Sequence, residues 1–196
     1  MDITNDIIGI SCAILKDEIN GLIAQGKIHI PFDYVDSMLH MHPSKLNGCL
    51  NKIIDHHLSR DRRIVLVYGD CCPHMNKITE NPNVTRTAGI NCCEILLGKK
   101  VYRQHVKEGA FFLMPEWALR WKEIFSHELG FSQEVALDMM NELHKSGIYL
   151  NTGCCPIPQT ELDTFSDYCN LPVEVMHVSL DLLLDTINTT IAEIHT

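Results

Sequence analysis

The run Ile64-Val65-Leu66-Val67-Tyr68-Gly69 constrains this chain most. It is rich in β-branched residues, carries no charge and shows no polar alternation, the pattern of a strand buried on both faces. Asp70-Cys71-Cys72-Pro73 follows at once. Shorter apolar runs occur at residues 7–12 and 110–115, residues 147–153 and 173–179 read as further strands, and a weaker extended run at 84–91 ends on Cys92-Cys93. Ile28-His29-Ile30-Pro31-Phe32 reads as a further strand stopped by its proline. Helical spacing fills the gaps. It appears over 13–24 (Ile14, Ile19, Ile23), over 44–58 (Leu46, Leu50, Ile53, Ile54 and His57 on one side), from Glu94, over 116–128, and over 133–145, where Ser132 is the expected cap and Gly147 the expected stop. A last helix is expected from Ser179 or Asp181 through Ile191.

Strands alternating with helices predict an α/β fold, a mostly parallel sheet with helices on both faces, Rossmann-like in type. No composition shift or Gly/Ser-rich linker divides the 196 residues, so a single domain over 1–196 is expected. Sheets of this kind bind ligands at the carboxyl ends of their strands. A weak internal echo, residues 67–73 against 150–156, each ending in Cys-Cys-Pro, suggests an internal pseudo-repeat.

Those strand exits are where the cysteines collect. Six of the nine form the adjacent pairs Cys71-Cys72, Cys92-Cys93 and Cys154-Cys155, and Cys12 closes the first apolar run. Seven cysteines can therefore face one crevice. Cys49 falls inside a helix and Cys169 in a stretch read as loop before Pro172, both away from the strand ends. The net charge of -9 argues against a sequence-independent grip on nucleic acid. No apolar run is long enough to span a bilayer, and residues 1–6 lack the basic and apolar segments of a secretory leader, so a cytoplasmic location is expected. A reducing compartment favours metal ligation or catalysis over disulfides.

A thiolate at a strand end and helix start is expected to have a lowered pKa, through the helix dipole and unpaired backbone N–H groups. Iron–sulfur clusters are held mainly by such cysteines. Structural zinc takes four cysteines too, but usually from Cys-x₂₋₄-Cys knuckles, which are missing here. Redox thiols without metal are a third use. The expected cofactor-binding residues are Cys12, Cys71, Cys72, Cys92, Cys93, Cys154 and Cys155, with Cys12, Cys71, Cys92 and Cys155 as the metal ligands. Other soft or basic groups weigh less: His74 as an extra ligand, His56-His57 on diverging helix faces, and Met38 and Met41 beside His40 and His42. Trp117 and Trp121, four apart, are expected in the core.

Ile10-Ser11-Cys12 with Leu15, Tyr68-Gly69 with Cys71, Arg86 leading to Cys92 with Leu96-Leu97-Gly98, and Phe112 to Trp117 with Pro115 form an ordered set. In these motifs the chain resembles the family called domain of unknown function 1638. The resemblance implies Cys12, Cys71 and Cys92 as a shared set, accompanied by Arg86 and Trp117. It also implies a setting in anaerobes beside corrinoid-dependent methyltransferase systems. Asn91 replaces a common aspartate, Cys72 a common glycine, and Met114 and Glu116 flank Pro115 unusually; Cys72, Cys93, Cys154 and Cys155 mark a cysteine-enriched member.

The leading expectation is a cytoplasmic iron–sulfur protein, 4Fe-4S or larger, in electron transfer or reductive chemistry of corrinoid-linked one-carbon metabolism. Its expected partner is a redox protein or a corrinoid methyltransferase system, with no nucleic acid and no membrane; self-association is open. An open iron site would make it an oxidoreductase. The alternatives are a zinc-thiolate protein, structural or active in thiol methyl transfer, and a metal or cluster assembly module.

Overall fold

The computed structural model describes Asp6–Ile194; residues 1–5, on which the leader reading rests, lie outside it, as do 195 and 196. The fold is α/β with two all-parallel sheets. The described residues group into two compact units: the chain up to Leu96 with the segment from Leu180, and Leu97–Ser179.

The first unit opens with β1 (Ile7–Cys12), a 3₁₀ turn (Ala13–Leu15) and α1 (Lys16–Ala24). Then come β2 (Phe32–Val35), a second 3₁₀ turn (Ser37–Met41), α2 (Pro43–Leu58), β3 (Arg63–Val67), the single turn α3 (Met75–Ile78), β4 (Val84–Arg86) and α4 (Cys92–Leu97). The sheet order is β2-β1-β3-β4. The two inner strands are those with continuous apolar sequence. Every residue of β1 and four of five in β3 are buried, as a parallel sheet covered on both faces requires.

The second unit holds α5 (Lys99–Glu108), β5 (Ala110–Leu113), α6 (Pro115–Lys122) running into a π-helical turn (Glu123–Glu128), α7 (Gln133–Leu143), β6 (Ser146–Asn151), α8 (Gln159–Cys169) and β7 (Val173–His177). Its sheet order is β5-β6-β7. Phe165 centres an aromatic cluster, with Trp121, Phe125 and Phe111 at ring-centroid distances of 5.6, 5.7 and 5.8 Å. Trp121 is buried as expected, whereas Trp117 is only partly so. The chain returns to the first unit with α9 (Asp181–Glu193), which packs Leu183 and Ile187 inward beside β3 and β4.

Several elements differ from the sequence expectation. Pro31 does not stop a strand: its carbonyl accepts from Gly9 N–H at 2.8 Å, and β2 begins just after it, since a proline that cannot donate is tolerated at a strand's start. The extended run at 84–91 is ordered as strand only to Arg86. Cys92 and Cys93 belong to the first turn of α4 rather than preceding it, because the Asn91 side chain accepts from Glu94 N–H at 2.8 Å and caps the helix there. Gly147 lies inside β6, and α7 ends earlier at Leu143, where His144 turns extended. Ser132 does cap α7, accepting from Val135 N–H. Cys169 is not in a loop but is the buried last residue of α8.

Candidate functional site

Three segments of the first unit bring thiols together. Cys12 is the last residue of β1, paired with Val35 and buried. Cys71 and Cys72 follow β3, and Cys92 and Cys93 open α4. The second and third segments are clamped. Asp70 N–H donates to Ile90 carbonyl at 2.8 Å, and a Cβ on Gly69 would stand 2.2 Å from that same oxygen. Only glycine lets the backbone bearing Cys71 press this closely on the backbone bearing Cys92.

All nine cysteines are thiols. Cys92 and Cys12 hydrogen-bond to each other, and this bond, then burial, then the Cys12, Cys71 and Cys93 sulfurs hold the Cys92 thiol well above its ordinary range. Burial first, and Cys12 next, push Cys71 up to about 11; a backbone hydrogen bond from Gly69 and the charge of Arg86 oppose them. Burial pushes Cys93 up to about 12. The expectation of thiols acidified by a helix start is therefore overturned. Burial and mutual repulsion outweigh the first turn of the short α4.

Tyr68, directly after β3, is only 1% exposed, and its hydroxyl has no hydrogen-bond partner among the described residues. Burial raises its pKa far above the usual phenol, and the Cys12, Cys92, Cys71 and Cys49 sulfurs raise it further. The hydroxyl thus lies in the field of four thiols. Beside it, Cys71 and Cys72 line a pocket of about 450 Å³ with Pro43, Asp70, Met75 and Asn76. Cys72 is buried, its sulfur 3.8 Å from Asn47 Oδ1 on α2. Arg86 reaches Asp70 at 2.7 Å and also borders a larger, threonine-rich pocket of about 760 Å³ between β4 and α9.

The donor set suits a thiophilic metal, and the buried hydroxyl without an acceptor suits a sulfur-bearing ligand beside it. Among the described residues no group of three or more Cys, His, Asp or Glu side chains is placed to hold a metal ion.

Cys154 and Cys155 follow β6 in the second unit, both partly buried. There Asn151 Oδ1 accepts from Gly153 N–H at 3.0 Å, and its Nδ2 meets His177 Nδ1 at 3.2 Å. His57 is buried with Nε2 2.7 Å from Asp33 and acts as a structural partner, whereas His56 and His74 are exposed. Met38 packs inside, as expected, with His40 and His42 at the surface. Sequence reading missed the buried, unpartnered Tyr68 hydroxyl. The available signal was a phenol at the exit of an otherwise apolar strand.

No curated protein and no solved structure matches this chain. The family model described as "Protein of unknown function (DUF1638)" matches residues 34–187, a span that includes Cys71 and Cys92, starts after Cys12, and draws on both units. With most of its length under that match, the chain belongs to the DUF1638 family.

Proposed function

We propose that this protein binds an iron–sulfur cluster through Cys12, Cys71 and Cys92 and serves in electron transfer or reductive chemistry. One observation carries the reading: three separate segments bring these thiols into one another's field, at a cost that a bound cation removes. As neutral thiols they are buried without charge; as thiolates they repel each other. Metal binding replaces their protons, so the same repulsion becomes attraction to the cation. The bound group would supply the electron-carrying capacity. The chain's own residues hold it, shield it through buried Cys12 and Cys72, and set its field through Arg86 and the Tyr68 hydroxyl.

The setting we propose is corrinoid-linked one-carbon metabolism in the cytoplasm of an anaerobe, with a redox protein or methyltransferase as partner. Its support is the family resemblance. Protein purified without oxygen should contain iron and acid-labile sulfide and absorb as a broad shoulder at about 400 nm that reductant bleaches. Stoichiometric zinc without sulfide would replace this reading with a zinc-thiolate site, and labile, substoichiometric iron would favour cluster assembly.

A further inference from the structure

Strand β4 is an outer strand of its sheet, and its ladder is made on one side only. Ile64 N–H donates to Asn83 carbonyl at 2.8 Å and Thr87 N–H to Leu66 carbonyl at 3.0 Å, so the parallel register turns the backbone of Thr85 toward β3 as well. The Val84 carbonyl and the N–H and carbonyl of Arg86 therefore point out of the sheet, and none of the three has a hydrogen-bond partner among the described residues. This edge opens on a groove. The pocket of about 760 Å³ is lined by the five consecutive residues 84–88, which alternate between the two faces of a strand, so the space runs along the edge rather than against one face. Its far wall is one side of α9, where Leu182, Asp185, Thr186, Thr189 and Glu193 recur at helical spacing. From Leu182 to Glu193 that wall is about 16 Å long, the length of roughly five residues of extended chain. Thr87 and Thr190 donate their hydroxyls to the Leu66 and Thr186 carbonyls, whereas Thr85, Thr186 and Thr189 make no such bond among the described residues. Asp185 is exposed and holds no ion pair among the described residues, while the Arg86 guanidinium is held by Asp70.

We propose that this groove binds an extended peptide segment of a partner protein, which adds to the sheet beside β4 and sets a lysine or arginine against Asp185. The inference is independent of the iron–sulfur reading. An extended backbone offers a donor and an acceptor on the same residue, which is what the outward N–H and carbonyl of Arg86 require, and the Val84 carbonyl takes a further N–H. Such pairing supplies affinity, and the side chains lying in the groove supply the choice of sequence. Charge points to a basic segment, since Asp185 stands without a cation in a chain of net charge -9. A second copy of the chain fits less well. Two concave grooves cannot fill one another, and pairing β4 with β4 would bring Asp185 and Glu193 of both copies to the same seam.

The test uses the full chain, with hydrogen exchange read at single amides and affinity by calorimetry. In the free chain the outward Arg86 N–H should exchange at least about tenfold faster than the N–H groups of Thr85 and Thr87, which the ladder holds. The probe is the peptide acetyl-Thr-Val-Lys-Val-Thr-amide, because backbone pairing tolerates many sequences. At millimolar concentration it should bind saturably and slow exchange at Arg86. Successive peptide amides alternate in direction, so of two versions methylated at alternate backbone nitrogens one should bind at least about fivefold more weakly. Asp185→Asn, with unchanged circular dichroism, should weaken binding of the lysine peptide about two- to fivefold and leave a glutamine counterpart unaffected. No saturable binding, or equal binding of both methylated versions, would overturn strand addition. An Asp185→Asn variant that binds the lysine peptide as the parent does would overturn the charge assignment. Protection of Arg86 that rises with protein concentration in the absence of peptide would give the edge to a second copy, and protection by ribose but not by peptide would give the groove to a small polyhydroxylated ligand; either result overturns the proposal.

Discussion

The loops after β3 and β6 share the same ending, Cys-Cys-Pro, and both leave an inner strand of their own sheet, yet they are finished differently. Counted back from the cysteines, Tyr68 in the first loop corresponds to Asn151 in the second. Asn151 uses its carbonyl oxygen on Gly153 N–H and its amide on His177, so its polar atoms are engaged by the loop and the next strand. Tyr68 is buried with its hydroxyl unengaged. Asp70, beside Cys71, is bonded to the neighbouring segment, whereas Gly153, beside Cys154, has a left-handed φ of +75°. One loop engages its polar side chain; the other buries a hydroxyl without a hydrogen-bond partner among the described residues. Equal motifs thus do not imply equal sites.

The largest test of that difference removes sulfur. Cys71→Ser or Cys92→Ser should lower bound iron at least about tenfold, since tenfold is already the lower bound for losing an outer partner of a metal ligand. Cys154→Ser/Cys155→Ser should leave iron and sulfide near the parent's values. Equal losses from both loops would erase the contrast.

Next come the glycines. Gly69→Ala places a methyl 2.2 Å from Ile90 carbonyl and should cost about 1–3 kcal/mol of stability together with much of the bound iron. Gly153→Ala meets nothing within 4 Å and should cost about 1–2 kcal/mol, through its left-handed backbone alone and without iron loss. Thermal melts and iron analysis of both variants read the two effects separately. Asn151→Ala should cost about 1–2 kcal/mol in the same melts, through two lost hydrogen bonds, again with iron unchanged.

Metal-free protein should also lose stability with rising pH. The native chain keeps Cys71 protonated up to about 11, whereas an ordinary thiol ionises at 9.0, so between those values the native state binds more protons and stability falls, levelling off above. Cys71→Ser should flatten that slope in denaturation curves taken across the window. The smallest effect belongs to Arg86→Gln. Its partner Asp70 is 55% exposed, so the lost pair should change stability by less than about 1 kcal/mol. Loss of the cation should still slow Cys71 alkylation at fixed pH, because Arg86 lowers that thiol's pKa.

Much of the fold was legible because β1, β3, β5 and β6 are apolar runs, and in β1, β3 and β6 burial on two faces leaves an unambiguous mark. Which strands share a sheet was not legible, since parallel runs read alike whatever sheet they join. Helix α8 was hidden by its polar residues and by Pro156 and Pro158 before it, although Leu162, Phe165 and Cys169 carry helical spacing. Of the site, the cysteines at strand exits were readable from position alone. Their raised pKa values were not, because burial and mutual repulsion depend on residues distant in sequence. The same holds for the Tyr68 hydroxyl, whose burial comes from the packing around it.

The order of the chain carries one more consequence. Residues 97–179 lie between the two parts of the first unit, and α9, with Arg63 bonded to Ile194 carbonyl at 3.1 Å, packs beside β3 and β4. During synthesis the second unit can fold as soon as it has emerged, while the thiol-bearing sheet waits, one flank bare, for residues 181–193 to leave the ribosome. A nascent chain stalled before that helix would leave the six cysteines of the first unit in an unfinished fold.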